Sequence, residues 1–256
     1  TRGNERTQFA LANSSLTYES LAATFPGARW CGSSLQSRTG MRTPTHGEPN
    51  APARPARDRP AERVLPHRQT APRRHRSRHR QRGARSGFDA FAHAIGAFTN
   101  NQVNPIADEL ALASMRLSIQ HLRTAVEEPS NLDARAGVMM SSYLGGFCIG
   151  QKGVDGIHGL CTPVESVAST VHGQVLSTLL PHVLRYNFET LSGRYALAAR
   201  RLGLTDSADD REACEAIYDA ALDLASLTEA PATLADYGLE RSQIPRLTEM
   251  ALLSQA

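Results

Sequence analysis

From Gly87 to the last residue, every patterned stretch repeats at the spacing of an α-helix, and none alternates with the period of two that marks a strand. That property restricts the C-terminal two-thirds of the chain to an all-α body. In residues 104–128, Asn104 and Pro105 supply a cap and a first turn. Ile106, Leu110, Ala113 and Leu117 form one apolar stripe there, and Met115, Ile119, Leu122 and Val126 form a second on the opposite side. A helix apolar on two sides belongs inside a bundle. Residues 130–153 read as a second buried helix, capped by Ser130 or Asn131, with Gly145-Gly146 permitting close packing. Residues 172–187 give a third. Further helices are expected at 190–202, 207–228 and 242–254, separated by turn signals at Gly203, Pro231 and Gly238.

Upstream of Gly87 the texture changes. Residues 41–86 hold seven prolines and thirteen arginines, against the three acids Glu48, Asp58 and Glu62. The excess of ten positive charges is larger than the net +3 of the whole chain, so the remainder is net acidic. A segment this polar cannot bury enough surface to offset its conformational entropy, and disorder is expected over 41–86. Arginines could displace counterions from nucleic-acid phosphates. The run has no aromatic residue to stack on bases, which argues against a nucleic-acid partner. Arg, Ala, Pro, His and Gly are also what GC-rich codons yield when read out of frame, and the break at Ser86–Gly87 then marks a return to frame. Residues 1–40 are weakly patterned: 15–25 could form a short helix or strand, and CGSS (31–34) a turn.

No stretch reaches the roughly 18 apolar residues of a membrane span, and the first residues lack the pattern of a signal peptide. Cysteines 31, 148, 161 and 214 are scattered, with no CxxC, which indicates neither a disulfide framework nor a zinc ribbon. A cytoplasmic location and no membrane partner are expected.

In GFDAFAHAIGAF (87–98), Asp89 and His93 stand four apart, on one face of a helix. His158 and His172 flank a connection containing Gly, Thr, Ser and Pro. One carboxylate and three imidazoles suit a divalent transition metal such as Fe²⁺ or Zn²⁺, with room for a substrate oxygen. Each histidine also has an ordinary reading as a hydrogen-bonded core residue, and His121 and His182 are read that way. Spacing alone leaves both readings open.

GFDAFAHAIGAF, NPIADELAL, GIHGLC and VHGQVLSTLLPHVLRYN together resemble the helical half of the iron-containing (group III) alcohol dehydrogenases, relatives of maleylacetate reductases and dehydroquinate synthase. The resemblance covers about 87–256. It implies a mainly α, all-helical metal-binding domain of the dehydroquinate synthase-like fold, preceded by a remnant or disordered N-terminal region. It implies that Asp89, His93, His158 and His172 hold Fe²⁺ or Zn²⁺. It further implies a metal-dependent alcohol dehydrogenase or aldehyde reductase, exchanging hydride between a small alcohol or aldehyde and NAD or NADP. Many members carry a histidine four residues after the third ligand; here that catalytic position is Thr162, whose hydroxyl can pass a proton but cannot hold a charge near neutral pH. The connection PVESVASTVHG differs from the family's usual glycine-rich version ending in Pro-His-Gly, with Val171 before His172, and Leu160-Cys161 is similar to maleylacetate reductases. Glu165 reads as an exposed loop acid, with substrate contact as its alternative.

The family's nucleotide-binding half needs on the order of 100–150 residues, and 86 precede the helical part here. Residues 1–40 are therefore expected to be a remnant of that half or irregular, 41–86 disordered, and 87–256 the helical domain. The alternatives to an active enzyme are an inactive fragment that keeps its metal site, a maleylacetate reductase-like enzyme, and a nucleic-acid-binding module. An uncovered cofactor-facing surface would favour self-association as a homo-oligomer.

Overall fold

The computed structural model describes residues 73–153 and 155–253, and among these there is no strand. The expectations for 1–40 and 41–72 lie outside the described residues. The described residues form seven α-helices in order: α1 (Arg73–Thr99), α2 (Pro105–Glu127), α3 (Leu132–Lys152), α4 (Gly156–Val167), α5 (His172–Arg201), α6 (Asp210–Ser226) and α7 (Ile244–Leu253). Two 3₁₀ turns, Leu234–Tyr237 and Arg241–Gln243, lead into α7. Helix α1 is the axis of the bundle. It packs against α2, α3 and α5, while α6 lies on α5 and α4 sits between α5 and α7.

Helix α1 begins at Arg73, so disorder through 41–86 is corrected for residues 73–86. The physical reason is local. Pro72 is the last proline of the run, and the arginines, glutamine and alanine that follow are good helix formers extending an already buried helix. Ala84 is fully buried, and Arg85 Nε donates to the Thr228 carbonyl at 3.4 Å. The central face of α1 is a run of Phe88, Phe91, Ile95 and Phe98, all in the core.

Helix α2 starts as its sequence indicates: Asn104 Oδ1 accepts from Ala107 N at 3.1 Å, with Pro105 at the first helical position. Its burial is one-sided, which corrects the expectation of two buried stripes. Ala107, Ala111, Met115, Leu122 and Val126 face the core, whereas Ile106 is 72% exposed. Small residues set the buried face because α2 and α3 approach closely. Ser114 Oγ donates to the Ser141 carbonyl at 2.8 Å, Ser141 Oγ returns to the Ser114 carbonyl at 2.9 Å, and Ser118 and Ser141 hydroxyls meet at 2.7 Å.

Of the two candidate caps for α3, Asn131 is the one used, accepting from Ala134 N at 3.0 Å. Of its glycine pair, Gly145 is the close-packing one. A Cβ there would lie 2.8 Å from the Ala90 carbonyl and 3.3 Å from His93 Cβ, whereas Gly146 faces open space. The stretches 172–187 and 190–202 form one helix with a kink at Leu191 (φ −121°, ψ 18°).

A charged knot around the buried Lys152 ammonium ties four helices together. The Lys152 ammonium at the end of α3 lies 2.5 Å from Asp108 Oδ1 on α2. Asp108 Oδ2 also takes Arg194 of α5 at 2.9 Å. Arg194 donates to the Phe98 carbonyl and stacks over the Phe98 ring at 4.0 Å.

Candidate metal centre

Four side chains from three helices meet beside α1. Asp89 and His93 lie one turn apart on α1, His158 is in the first turn of α4, and His172 is the first residue of α5. Three imidazole Nε2 atoms converge on one carboxylate oxygen. Asp89 Oδ1 is 3.3 Å from His93, 3.5 Å from His158 and 3.5 Å from His172. The His93 and His158 rings stack with centroids 4.7 Å apart, and His158 and His172 are tilted at 5.6 Å.

These separations are at the long, weak end for hydrogen bonds. They match the roughly 3.3 Å edge of a tetrahedron whose centre lies ~2.0–2.1 Å from each nitrogen and oxygen, the bond lengths of Zn²⁺ and similar ions. The donor set therefore fits a divalent transition metal.

Two further carboxylates hold the ligand rings from behind. His158 Nδ1 donates to Asp155 Oδ1 at 2.8 Å, and His172 Nδ1 donates to Glu165 Oε1 at 2.7 Å. A carboxylate can only accept, so both rings carry a proton on Nδ1, which leaves Nε2, on the Asp89 side, as the nitrogen available to an ion once its own proton has left. Asp155 also caps α4, accepting from His158 N at 3.2 Å. Room for it comes from Gly96 on α1, where a Cβ would stand 1.9 Å from Asp155 Oδ2.

The electrostatics follow from this crowding. Burial would push the Asp89 carboxyl up, but hydrogen bonds from His158 and His172 and the charges of His93 and His172 outweigh it and hold Asp89 well below the usual carboxylate range. Burial works against a charged His158, yet its bonds to Asp155 and Asp89 raise it to about 9. The Asp89 hydrogen bond, more than Glu165, raises His172 against its burial. For His93 burial dominates and the imidazole is shifted down.

Two site features differ from the sequence expectation. The stretch after His158 is helical through Val167, with Pro163 inside it, and Glu165 is a half-buried helical residue bound to His172. The reading of Glu165 as an exposed loop acid is thereby corrected, because the Thr, Pro and Ser that suggested a loop are accommodated in α4. Asp155 was not foreseen, although an Asp immediately before GIHG is a recognisable helix cap with the histidine at its third position. Thr162 lies on the exposed face of α4, its hydroxyl donating to the His158 carbonyl at 3.2 Å. His121 packs against Gly137 on α3, where a Cβ would meet its ring at 2.3 Å; neither it nor His182 belongs to a donor group.

Residues 83–256 match the Fe-containing alcohol dehydrogenase family, C-terminal part. The chain belongs to the iron-containing alcohol dehydrogenase family. Among its relatives is the 1,3-propanediol dehydrogenase of Citrobacter freundii, 32% identical over 170 residues that cover 66% of this chain and 44% of that protein. A solved structure of 1,3-propanediol oxidoreductase superposes with a TM-score of 0.63 at 30% identity, covering 66% of this chain and 45% of that one. The sulfoacetaldehyde reductase of Bifidobacterium kashiwanohense, solved in complex with NAD⁺, gives 0.60 at 26% identity, covering 67% and 44%. The chain thus spans less than half the length of these family members. No helix among the described residues is long and apolar enough to cross a membrane.

Proposed function

We propose that this chain provides the metal-binding half of an alcohol dehydrogenase or aldehyde reductase, with Asp89, His93, His158 and His172 holding Fe²⁺ or Zn²⁺. The observation that carries this reading is the convergence of three Nε2 atoms on Asp89 Oδ1 at 3.3–3.5 Å. A divalent ion bound there supplies a Lewis acid for the oxygen of an alcohol or aldehyde, and NAD or NADP supplies the redox chemistry that no side chain can.

The chain's own residues do the remaining work. Asp155 and Glu165 hold Nδ1 of His158 and His172 by hydrogen bonds, so Nε2 of each ring is the atom directed at the site. Gly145 and Gly96 let α3 and the Asp155 cap press against α1, which sets the rotation of Asp89 and His93. Thr162, one turn beyond His158 and open to solvent, is the residue assigned to carrying the alcohol proton between the site and water. The three described cysteines are free, in keeping with a reducing cytoplasm.

The test counts bound Zn²⁺, or Fe²⁺ without oxygen, on the full chain and on His158→Ala. The variant is expected to lose one equivalent; a variant that holds as much metal as the parent overturns the site. Metal-dependent oxidation of NAD(P)H by a short aldehyde such as propanal, absent in His158→Ala, is the expected activity. A metal-loaded parent that shows none would reject dehydrogenase activity for this chain.

A further inference from the structure

Behind His172, on the side away from Asp89, a second group of donors comes together. Cys161 and Glu165 stand four apart on one face of α4, and His172 opens α5 across the turn. The Cys161 Sγ lies 3.4 Å from His172 Nδ1, and Glu165 Oε1 lies 2.7 Å from the same nitrogen. One donor atom from each of the three falls within 4.8 Å of the others. A tetrahedral Zn²⁺ with one sulfur and one imidazole nitrogen has an S···N edge of roughly 3.5 Å, from bond lengths of ~2.3 and ~2.0–2.1 Å. The observed 3.4 Å matches that edge, whereas the 2.7 Å between Glu165 Oε1 and His172 Nδ1 is a hydrogen-bond distance, so the half-exposed carboxylate must draw back by roughly 0.6 Å to reach the ~3.3 Å edge of a shared ion.

We infer that Cys161, Glu165 and His172 form a second metal site, selective for a thiophilic divalent ion of the Zn²⁺ class, sharing His172 with the first. Thiolate, imidazole and carboxylate together favour Zn²⁺ over a harder ion. Cys161 is fully buried, which keeps the sulfur from casual oxidation. The His172 and Glu165 side chains are 41% and 30% exposed, giving an ion a path from solvent and a place for water as fourth ligand. Without an ion the group is held by hydrogen bonds: His172 Nδ1 donates to Glu165, and the Cys161 thiol points to the His172 carbonyl at 3.9 Å. Binding replaces the Cys161 S–H and His172 Nδ1–H protons with two coordinate bonds and releases both protons to solvent. An ion in each site would use a different nitrogen of His172, Nε2 for the first and Nδ1 for the second.

This site shares His172 and its partner Glu165 with the dehydrogenase reading, and the test separates the two through Cys161 and His158, each of which belongs to one site alone. Metal-depleted full-length chain is titrated with Co²⁺ without oxygen, following the near-ultraviolet thiolate-to-cobalt charge-transfer band. Two equivalents are expected, one of them carrying the band, and Zn²⁺ should displace the band-bearing ion. Cys161→Ser should abolish the band and one equivalent while keeping the other; Cys148→Ser and Cys214→Ser should leave the band in place. His158→Ala should lose the band-free equivalent and keep the band. Glu165→Gln, which preserves shape, should weaken the band-bearing equivalent at least about tenfold, and circular dichroism checks that each variant is folded. A parent that saturates at one equivalent with no band overturns the second site, as does a band that survives Cys161→Ser. Loss of the band-free equivalent alone from the parent would count against the first site and leave the second standing.

Discussion

Asp155 Oδ1 accepts both the backbone N–H of His158, at 3.2 Å, and the ring Nδ1–H of the same residue, at 2.8 Å. A single carboxylate therefore starts helix α4 and fixes the orientation and tautomer of a metal-ligand candidate. The two tasks separate by substitution, because asparagine caps a helix as well as aspartate does but brings no charge to the imidazole.

Asp155→Asn is accordingly expected to leave the fold intact and to weaken metal affinity about ten- to a hundredfold. Chelator competition gives the affinity and a thermal melt of the metal-free protein checks the fold. Unchanged affinity would show that the charge behind His158 has no bearing on the site.

Gly96→Ala attacks the same carboxylate from the other side. Its Cβ would stand 1.9 Å from Asp155 Oδ2, so either α1 or the α4 cap must shift. The expected result is a stability loss of about 1–3 kcal/mol, as for other overpacked cores, with metal affinity falling alongside. Gly146→Ala, facing open space inside α3, is the control: it should leave metal affinity unchanged and raise stability slightly, as Ala does over Gly in a helix.

Metal affinity should rise with pH. His158 is raised to about 9 in the metal-free site, so at neutral pH its proton must leave before the nitrogen can bind an ion. Below pH 9 the affinity should climb up to about tenfold per pH unit for that one proton. Stability of the metal-free chain runs the other way. A folded value above the unfolded one of 6.5 gives a contribution that is fully present below 6.5 and lost as pH rises through about 9. Chelator competition and metal-free melts between pH 6 and 9 should show these opposite trends; affinity independent of pH would contradict the geometry around His158.

Away from the site, Asp108→Ala should be the costly change. It strands the Lys152 ammonium, whose side chain is 1% exposed, without its partner at 2.5 Å. Removing one member of a buried pair typically costs about 3–5 kcal/mol. Urea unfolding gives the number, and adding Lys152→Met should recover most of it.

Much of this architecture is legible in the sequence, for reasons specific to each element. Caps such as Asn104 and Asn131 act on their own next two or three residues, so they can be read locally. The four donors stand out because Asp89 and His93 share a helix face and the other two carry a family resemblance. On α2 the buried stripe through Met115, Leu122 and Val126 is legible, but Ala107, Ala111, Ser114 and Ser118 complete the core face in place of Ile106, and whether such small residues lie inside depends on how closely α3 approaches. Glu165 and Asp155 were missed or misjudged for a related reason. Their role exists only once α4 and α5 bring ring nitrogens to them, and no spacing along the chain records that meeting.

The start of α1 at Arg73 has one more consequence. A Cβ on Gly173, the residue after His172, would lie 2.4 Å from the Arg85 carbonyl, so the first turn of α5 is seated directly on the α1 backbone upstream of Gly87. The end of the arginine-rich run is thus the abutment that sets the height of His172. Trimming the chain at its compositional seam would remove that abutment and leave every ligand in place by name, with one of them at the wrong level.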